Sequence, residues 1–460
     1  MSTAMMDGRE AARRAVVDVL RGQGFAADTL RALGARGQLN NRELGLATQI
    51  ALGTVRHILT IEHILSAVAR FDRRRVRAEL RTILYTAAYQ MIWLDRIPLF
   101  AAVDQAVSLA RRHVRGRAPA MVNAILRRLG DALSQRRTIW HPLDPTQVRV
   151  DWDQACAFNS NVLPSTDSGN LVAHLAAATG ERLERYEKLI KCYGEVAAEQ
   201  VAWASQAVPV TIVHRNHLRI TTDQFATQMQ AAYGNSLEIT PDLAFLPPAI
   251  HVATAKPFSQ GDCYVQDSTA HSAALLVETQ SGERILDLCA APGGKTVAMA
   301  IQMADRGEVV ACDTSAERLE LVRQNATRLG LKSIQTQTTE TAIEADAYDA
   351  VLLDVPCSNT GVLARRPEAR LGFTAKKLAA LVTAQRELIE TGARCVRPGG
   401  RLVYSTCSLE PEENEQMIVS FLARQPGWRL DQQLTTLPNW GPRLSDWRDG
   451  GYAARLVRSG

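Results

Sequence analysis

The sequence predicts a multidomain α plus α/β protein. An all-α N-terminal bundle precedes a small α/β module and a C-terminal doubly wound parallel sheet. Three observations carry this. Apolar residues recur at helical spacing through residues 9–135. From about residue 266, short β-forming runs alternate with helical stretches. At 460 residues the chain exceeds one ordinary domain. The expected division is 1–140 (helical), 141–205 (linker and helical insert), 206–265 (α/β module) and 266–460 (sheet domain).

In the first segment, Ala12, Val16, Val17 and Leu20 share one helical face. The spacing returns in Leu46, Ala47, Ile50, Ala51 and Val55, in Leu80, Ile83, Leu84 and Ala87, and in Ala102, Val103, Ala106 and Val107. Pro98 breaks the pattern after Asp95-Arg96-Ile97. Six or seven helices are expected. Residues 136–170 lose periodicity and read as a linker or long loop, most turn-rich at Asn159–Asn170. Helical spacing resumes over 171–206. A strand at Val208–Val213, a helix at Thr222–Ala232 and further short strands to about 265 make the small module.

In the last segment, strands are expected at Arg284–Leu288, Glu308–Cys312, Ser333–Gln337, Ala350–Asp354 and Arg401–Tyr404. Helices lie between them at about 295–304, 315–329 and 375–396. Pro398-Gly399-Gly400 ends the long helix. The alternating tail Gly450–Val457 reads as an edge strand.

Composition narrows the classes. A hydrophobic share of 46% and a charged share of 22% are those of a soluble globular protein. No run approaches ~20 uninterrupted apolar residues, so no membrane span is expected. The N-terminus lacks a basic region followed by an apolar core, which argues against a secretory signal. Eight scattered cysteines, none in a Cys-x-x-Cys pair, argue against a disulfide framework or a metal site and fit a reducing cytoplasm. Residues 1–140 hold 23 Arg, no Lys and 11 acidic residues, a net of +12, which leaves −7 for the remainder. That asymmetry suggests a basic domain for a polyanion. Solvated helix surfaces are the plainer alternative.

Chemistry concentrates in three loops that follow strands. The first is Cys289-Ala290-Ala291-Pro292-Gly293-Gly294-Lys295-Thr296, preceded by Asp287. Its small residues let backbone approach a ligand at a helix start. It matches neither the G-x-x-x-x-G-K-[ST] loop nor G-x-G-x-x-G. Asp313 ends the next strand, where a carboxylate accepts from ribose hydroxyls or caps the helix that starts near Ser315. The other two loops are Asp354-Val355-Pro356-Cys357-Ser358 and Ser405-Thr406-Cys407-Ser408. Buried filler is the usual fate of a free cysteine.

Taken whole, these strings resemble the RNA cytosine-5 methyltransferases. The residues 52–56, 87–98 and 122–128 resemble a NusB-like RNA-binding domain. The pairing of the two resembles the bacterial 16S rRNA cytosine-5 methyltransferase (RsmB, Sun or Fmu) family. The resemblance implies a Rossmann-like catalytic domain that uses S-adenosyl-L-methionine, held by Cys289, Ala290, Ala291, Pro292, Gly293, Gly294, Lys295, Asp313 and Asp354. It implies Cys407 as nucleophile and Cys357 as the residue of product release, with Asp354 contacting the cytosine, the cofactor or both. Arg365, Arg366 and Arg370, and in the basic bundle Arg73, Arg74 and Arg75, are the expected phosphate contacts.

The implied substrate is 16S rRNA, unassembled or partly assembled, because a stacked base must be extruded to meet a thiol. No metal and no membrane are expected. The family's Gly-Asp pair after the third strand is replaced here by Thr338-Thr339. A tRNA cytosine-5 methyltransferase and an RNA-binding assembly factor with a relic site stay open as alternatives.

Overall fold

The computed structural model describes residues 6–167, 169–248, 250 and 252–460. The first five residues, within the stretch read as lacking a signal, and Ser168 of the turn-rich linker lie outside them. The chain divides into two compact units. One comprises residues 1–207 together with 363–372, and the other comprises 208–362 with 373–460.

The first unit is built on six α-helices: Gly8–Leu20, Ala26–Ala35, Asn41–Ala69, Ala78–Trp93, Leu99–His113 and Ala118–Ala132. Short polar side chains start two of them. Asp7 accepts from the Arg9 N–H and Asn40 from the Glu43 N–H. Pro98 sits at the start of Leu99–His113, where its missing N–H costs nothing. The 29-residue helix Asn41–Ala69 is apolar enough to match a membrane span by composition, yet most of that window is buried inside the protein. It is the bundle's core helix, with Ile50, Val55, Ile61, Ile64 and Leu65 all buried.

The expected linker is partly a sheet. Leu133–Ile139, Gln147–Arg149 and Gln154–Phe158 form three antiparallel strands, with the last in the middle. Its first strand carries arginines that do local work. Arg136 donates to the carbonyls of Met91, Leu94, Asp95 and Ile97, and Arg137 to those of Ile92 and Trp93. Together they satisfy the open C-terminal end of Ala78–Trp93. The Arg149 guanidinium lies 3.9 Å from the Trp140 ring centre and 5.0 Å from that of Trp203. Helices Leu171–Ala178, Leu183–Tyr193 and Glu195–Ala204 follow, as the spacing predicted.

The second unit opens with the small module. Its four antiparallel strands run in the order Glu238–Ile239, Leu243–Leu246, Thr211–Arg215, Cys263–Val265. The helix Thr222–Tyr233 starts with a reciprocal cap between Thr221 and Gln224.

The large sheet has seven strands: β1 (Arg284–Asp287), β2 (Glu308–Cys312), β3 (Ile334–Gln337), β4 (Tyr348–Asp354), β5 (Val396–Thr406), β6 (Trp428–Thr436) and β7 (Gly451–Arg458). Their order is β3-β2-β1-β4-β5-β7-β6. The first five are parallel, and β7 runs antiparallel to both β5 and β6. Helices cover both faces, so β4 is apolar without alternation and Ala350–Leu353 are fully buried. The tail β7 is therefore not an edge strand. β6 takes the edge, and its exposed, polar Arg429–Gln433 gave no strand pattern in the sequence.

Candidate active site

Parallel strands deliver their C-terminal loops to one end of the sheet, and the order reverses between β1 and β4. The loop after β1 is pinned from below. Ala290 donates its N–H to the Cys312 carbonyl at 2.8 Å, and Ala291 donates to Asp313 Oδ2 at 3.3 Å. Gly293 adopts φ of 102°, a left-handed value suited to glycine, and a Cβ there would press on Val322 at 3.2 Å. The next helix, Gly294–Gln302, begins at once, so the loop ends on the N–H groups of a helix start.

Two carboxylates frame that loop. Asp287, at the end of β1, is fully buried and accepts from Thr296 Oγ1 at 2.7 Å, while its Oδ1 has no partner. Burial pushes its pKa up to about 7; the Thr296 bond opposes this and the Asp354 charge adds to it. Asp313 accepts from the Ser315 N–H at 3.0 Å and meets Arg318 at 3.3 Å. Ser315 itself caps the helix Ala316–Leu329. Asp313 thus braces both the loop and the helix start. Burial pushes the Cys289 and Cys312 thiols up, Cys312 to about 12, so both stay neutral.

Lys295 and Asp354 form an ion pair of 2.7 Å. Burial alone would depress the Lys295 ammonium, but Asp354 more than offsets it and holds the group charged. Ser405 Oγ donates to the other Asp354 oxygen at 3.3 Å. This pair and Cys407 line one cleft with Asp267, Thr269 and Asp449.

The Pro-Cys-Ser and Thr-Cys-Ser loops meet side by side. Cys357 Sγ and Cys407 Sγ are 3.0 Å apart, and Cys407 Sγ donates to Asn359 Oδ1 at 3.3 Å. The bond from Cys407 and then burial push the Cys357 thiol well up, so it stays protonated. Between the loops, Gly361 donates to the Cys407 carbonyl at 2.9 Å and accepts from the Gly450 N–H at 2.8 Å. A Cβ on Gly361 would sit 2.6 Å from the Gly450 oxygen.

Similarity to known proteins matches this geometry. Residues 274–440 match the model of the 16S rRNA methyltransferase RsmB/F family, and residues 6–131 match the NusB family. The ribosomal RNA small subunit methyltransferase B of Pseudomonas putida is 30% identical over 98% of this chain and 99% of its own length. The chain belongs to the RsmB/F methyltransferase family. The enzyme of the same name from Pseudomonas syringae pv. tomato is 31% identical over 92% of this chain and 88% of its own. Among solved structures, the protein PH0851 aligns over 99% of this chain and all of its own with a TM-score of 0.72 at 20% identity. A methyltransferase homologue from Pyrococcus horikoshii aligns over 63% of this chain and 99% of its own with a TM-score of 0.52 at 23% identity. Both show the shared fold.

For this RsmB/F-type methyltransferase the expected phosphate contacts divide. Arg370 is a correction: it is buried, with Nε 3.0 Å from Glu181, a second nitrogen on Ser205 Oγ at 2.5 Å and a third on the Arg56 carbonyl at 2.9 Å. A guanidinium so committed holds the first unit together and has no face left for a phosphate. Arg366 is exposed, its guanidinium 4.8 Å from the Phe25 ring centre, and Arg365 is half-buried. Arg74 is exposed, while Arg73 and Arg75 lean on Glu62 at 3.6 Å and Asp72 at 3.4 Å. Sequence reasoning missed Asp267 and Asp449. Asp267 starts the helix Ser268–Leu275 and accepts from the Asp449 N–H at 3.3 Å. The signal was present in Gln266-Asp267-Ser268, a carboxylate between a strand and a helix.

Proposed function

We propose that this methyltransferase acts on carbon 5 of a cytosine in 16S rRNA through a transient bond between Cys407 and the base. One observation supports it most: the two sulfurs lie 3.0 Å apart, and Cys407 opens into the cleft that holds the Lys295–Asp354 pair. Carbon 5 of cytosine is a poor nucleophile. Addition of the Cys407 thiolate to carbon 6 makes carbon 5 enamine-like. Asp354, already held by Lys295 and Ser405, would accept a hydrogen bond from the base protonated at nitrogen 3; that proton withdraws electrons from the ring, and the carboxylate stabilises the protonated form. S-adenosyl-L-methionine, when bound, supplies the methyl group as a sulfonium electrophile.

The residues present suit that cofactor. The unpartnered Asp287 oxygen and the free N–H groups at Gly294 and Lys295 offer an acceptor and donors beside small Ala290 and Ala291. Asp313, just after β2, is the acceptor this reading assigns to the ribose hydroxyls. After transfer a base removes the carbon 5 proton and the Cys407 sulfur leaves. Cys357, kept protonated beside it, assists that release. The basic first unit carries RNA affinity through exposed arginines such as Arg74.

Bisulfite mapping of 16S rRNA and tRNA from cells with and without the gene tests the reading. One cytosine in 16S rRNA should lose protection. An unchanged 16S pattern with a tRNA site lost would transfer the activity to tRNA. No change in either would favour the assembly factor.

A further inference from the structure

We infer that Glu413 is a positioning residue for the reaction, a carboxylate that ties the two cysteine loops together and fixes the spacing of their sulfurs. The inference rests on the cytosine-5 reading above. Glu413 follows β5 by seven residues and is fully buried. Its carboxylate takes four donors. Ser358, next to Cys357, gives its N–H at 3.0 Å and also its hydroxyl. Ser408, next to Cys407, gives its hydroxyl at 2.5 Å. Gln385, from the long helix Ala375–Cys395, gives Nε2 at 2.8 Å and shares that group with the Pro356 carbonyl at 2.9 Å.

The arrangement is specific to position. Ser358 reaches both carboxylate oxygens and Ser408 reaches Oε2, so neither loop can shift without breaking a bond to the same carboxylate. The next residue, Asn414, bonds the Thr-Cys-Ser loop: it accepts from Thr406 Oγ1 at 2.6 Å and donates to the Ser408 carbonyl at 3.0 Å. Glu413 is itself anchored, because Tyr404 donates to its carbonyl at 2.8 Å. The carboxylate also lies among the charges that raise the Cys357 thiol, behind the Cys407 bond and burial. It thus bears on the two adjacent sulfurs together: it holds the loop of each and helps keep Cys357 a thiol.

The test uses the full chain and a 16S rRNA transcript in which 5-fluorocytidine replaces cytidine. Fluorine blocks removal at carbon 5 and leaves a denaturant-resistant adduct. Glu413→Gln should form that adduct about 10²-fold more slowly, the loss typical of an ångström-scale misplacement. Its cofactor affinity by calorimetry should be unchanged. In a Cys407→Ala background, Glu413→Gln should also move alkylation of Cys357 by iodoacetamide to lower pH. Should Glu413→Gln lose cofactor binding, Ser358→Ala deletes one hydroxyl alone and should still slow the adduct. A wild-type adduct rate with an unmoved alkylation profile in Glu413→Gln overturns the inference. So does a wild-type rate in Ser358→Ala. If the unaltered protein forms no adduct, the cytosine reading fails, and the alkylation profile, which needs no RNA, still decides for or against Glu413.

Discussion

Lys295 Nζ stands 2.7 Å from Asp354 Oδ2 and joins the loop after β1 to the end of β4. The sequence put both residues beside the cofactor, with Asp354 open to the cytosine as well; the structure pairs them as one charged unit at the point where strand order reverses. Asp354→Asn keeps the shape and removes the charge. It should lower kcat about 10²-fold, in the range for loss of one preorganised electrostatic contact. The stability cost should be about 1 kcal/mol, because Asp354 is a third exposed and solvent screens the pair. Rapid-quench methylation assays and denaturant melts check the two parts.

The two sulfurs should be separable by substitution although they touch. Cys407→Ala should abolish methylation. Cys357→Ala should retain methyl transfer and accumulate a protein–RNA adduct on denaturing gels. An adduct from the Cys407 variant instead would reverse the roles.

The cysteine loops, Asp354 and the loop at 289–296 were legible because each is a short unbroken string placed by a neighbouring strand. The helical bundle was legible because its apolar faces repeat. What was not legible depended on distant partners. Arg136 and Arg137 read as polar linker, but they terminate a helix more than 40 residues earlier, and that lets their own segment pair as a strand. Arg370 read as a phosphate contact because charge alone does not reveal burial, and its ion-pair partner Glu181 is 189 residues away. Glu413 could not be singled out from the sequence, since its link to Ser358 spans 55 residues.

Asp287 should give the fold a pH dependence near neutrality. Its folded pKa, about 7, lies above the ordinary carboxylate value of 3.8. The folded state therefore holds this proton more tightly than the unfolded chain. That contribution is complete below about pH 4 and is lost as pH rises through about 7. Asp287→Asn stays neutral throughout. The stability difference between the two proteins, from urea melts at pH 4.5 to 8, should shift toward the variant as pH rises, by up to about 1.4 kcal/mol per pH unit. A flat difference refutes the assignment.

Gly53 lies in the middle of the core helix, where glycine costs about 1 kcal/mol relative to alanine. A Cβ there would fall 2.0 Å from the Tyr89 ring, in the next helix of the bundle. Tyr89 is buried and stacks on Trp93, so it has no room to retreat. Gly53→Ala should therefore destabilise the first unit by about 1–3 kcal/mol despite its better helix propensity. Thermal unfolding measures it, and a gain in stability would show that the contact relaxes freely.

Thr339 stands where the family's resemblance places an acidic residue, at the end of the sheet after β3. Its Oγ1 is buried and has no hydrogen-bond partner. A carboxylate at this site accepts from an adenine amino group more strongly than a hydroxyl does, because a charged acceptor roughly doubles a hydrogen bond. Thr339→Asp should tighten S-adenosyl-L-methionine binding about tenfold by calorimetry, the equivalent of about 1.4 kcal/mol. Wild-type protein should still bind, since the loop after β1 and Asp313 are intact. Unchanged affinity in the variant would place the adenine away from this helix start and leave its recognition to the apolar wall around Leu319.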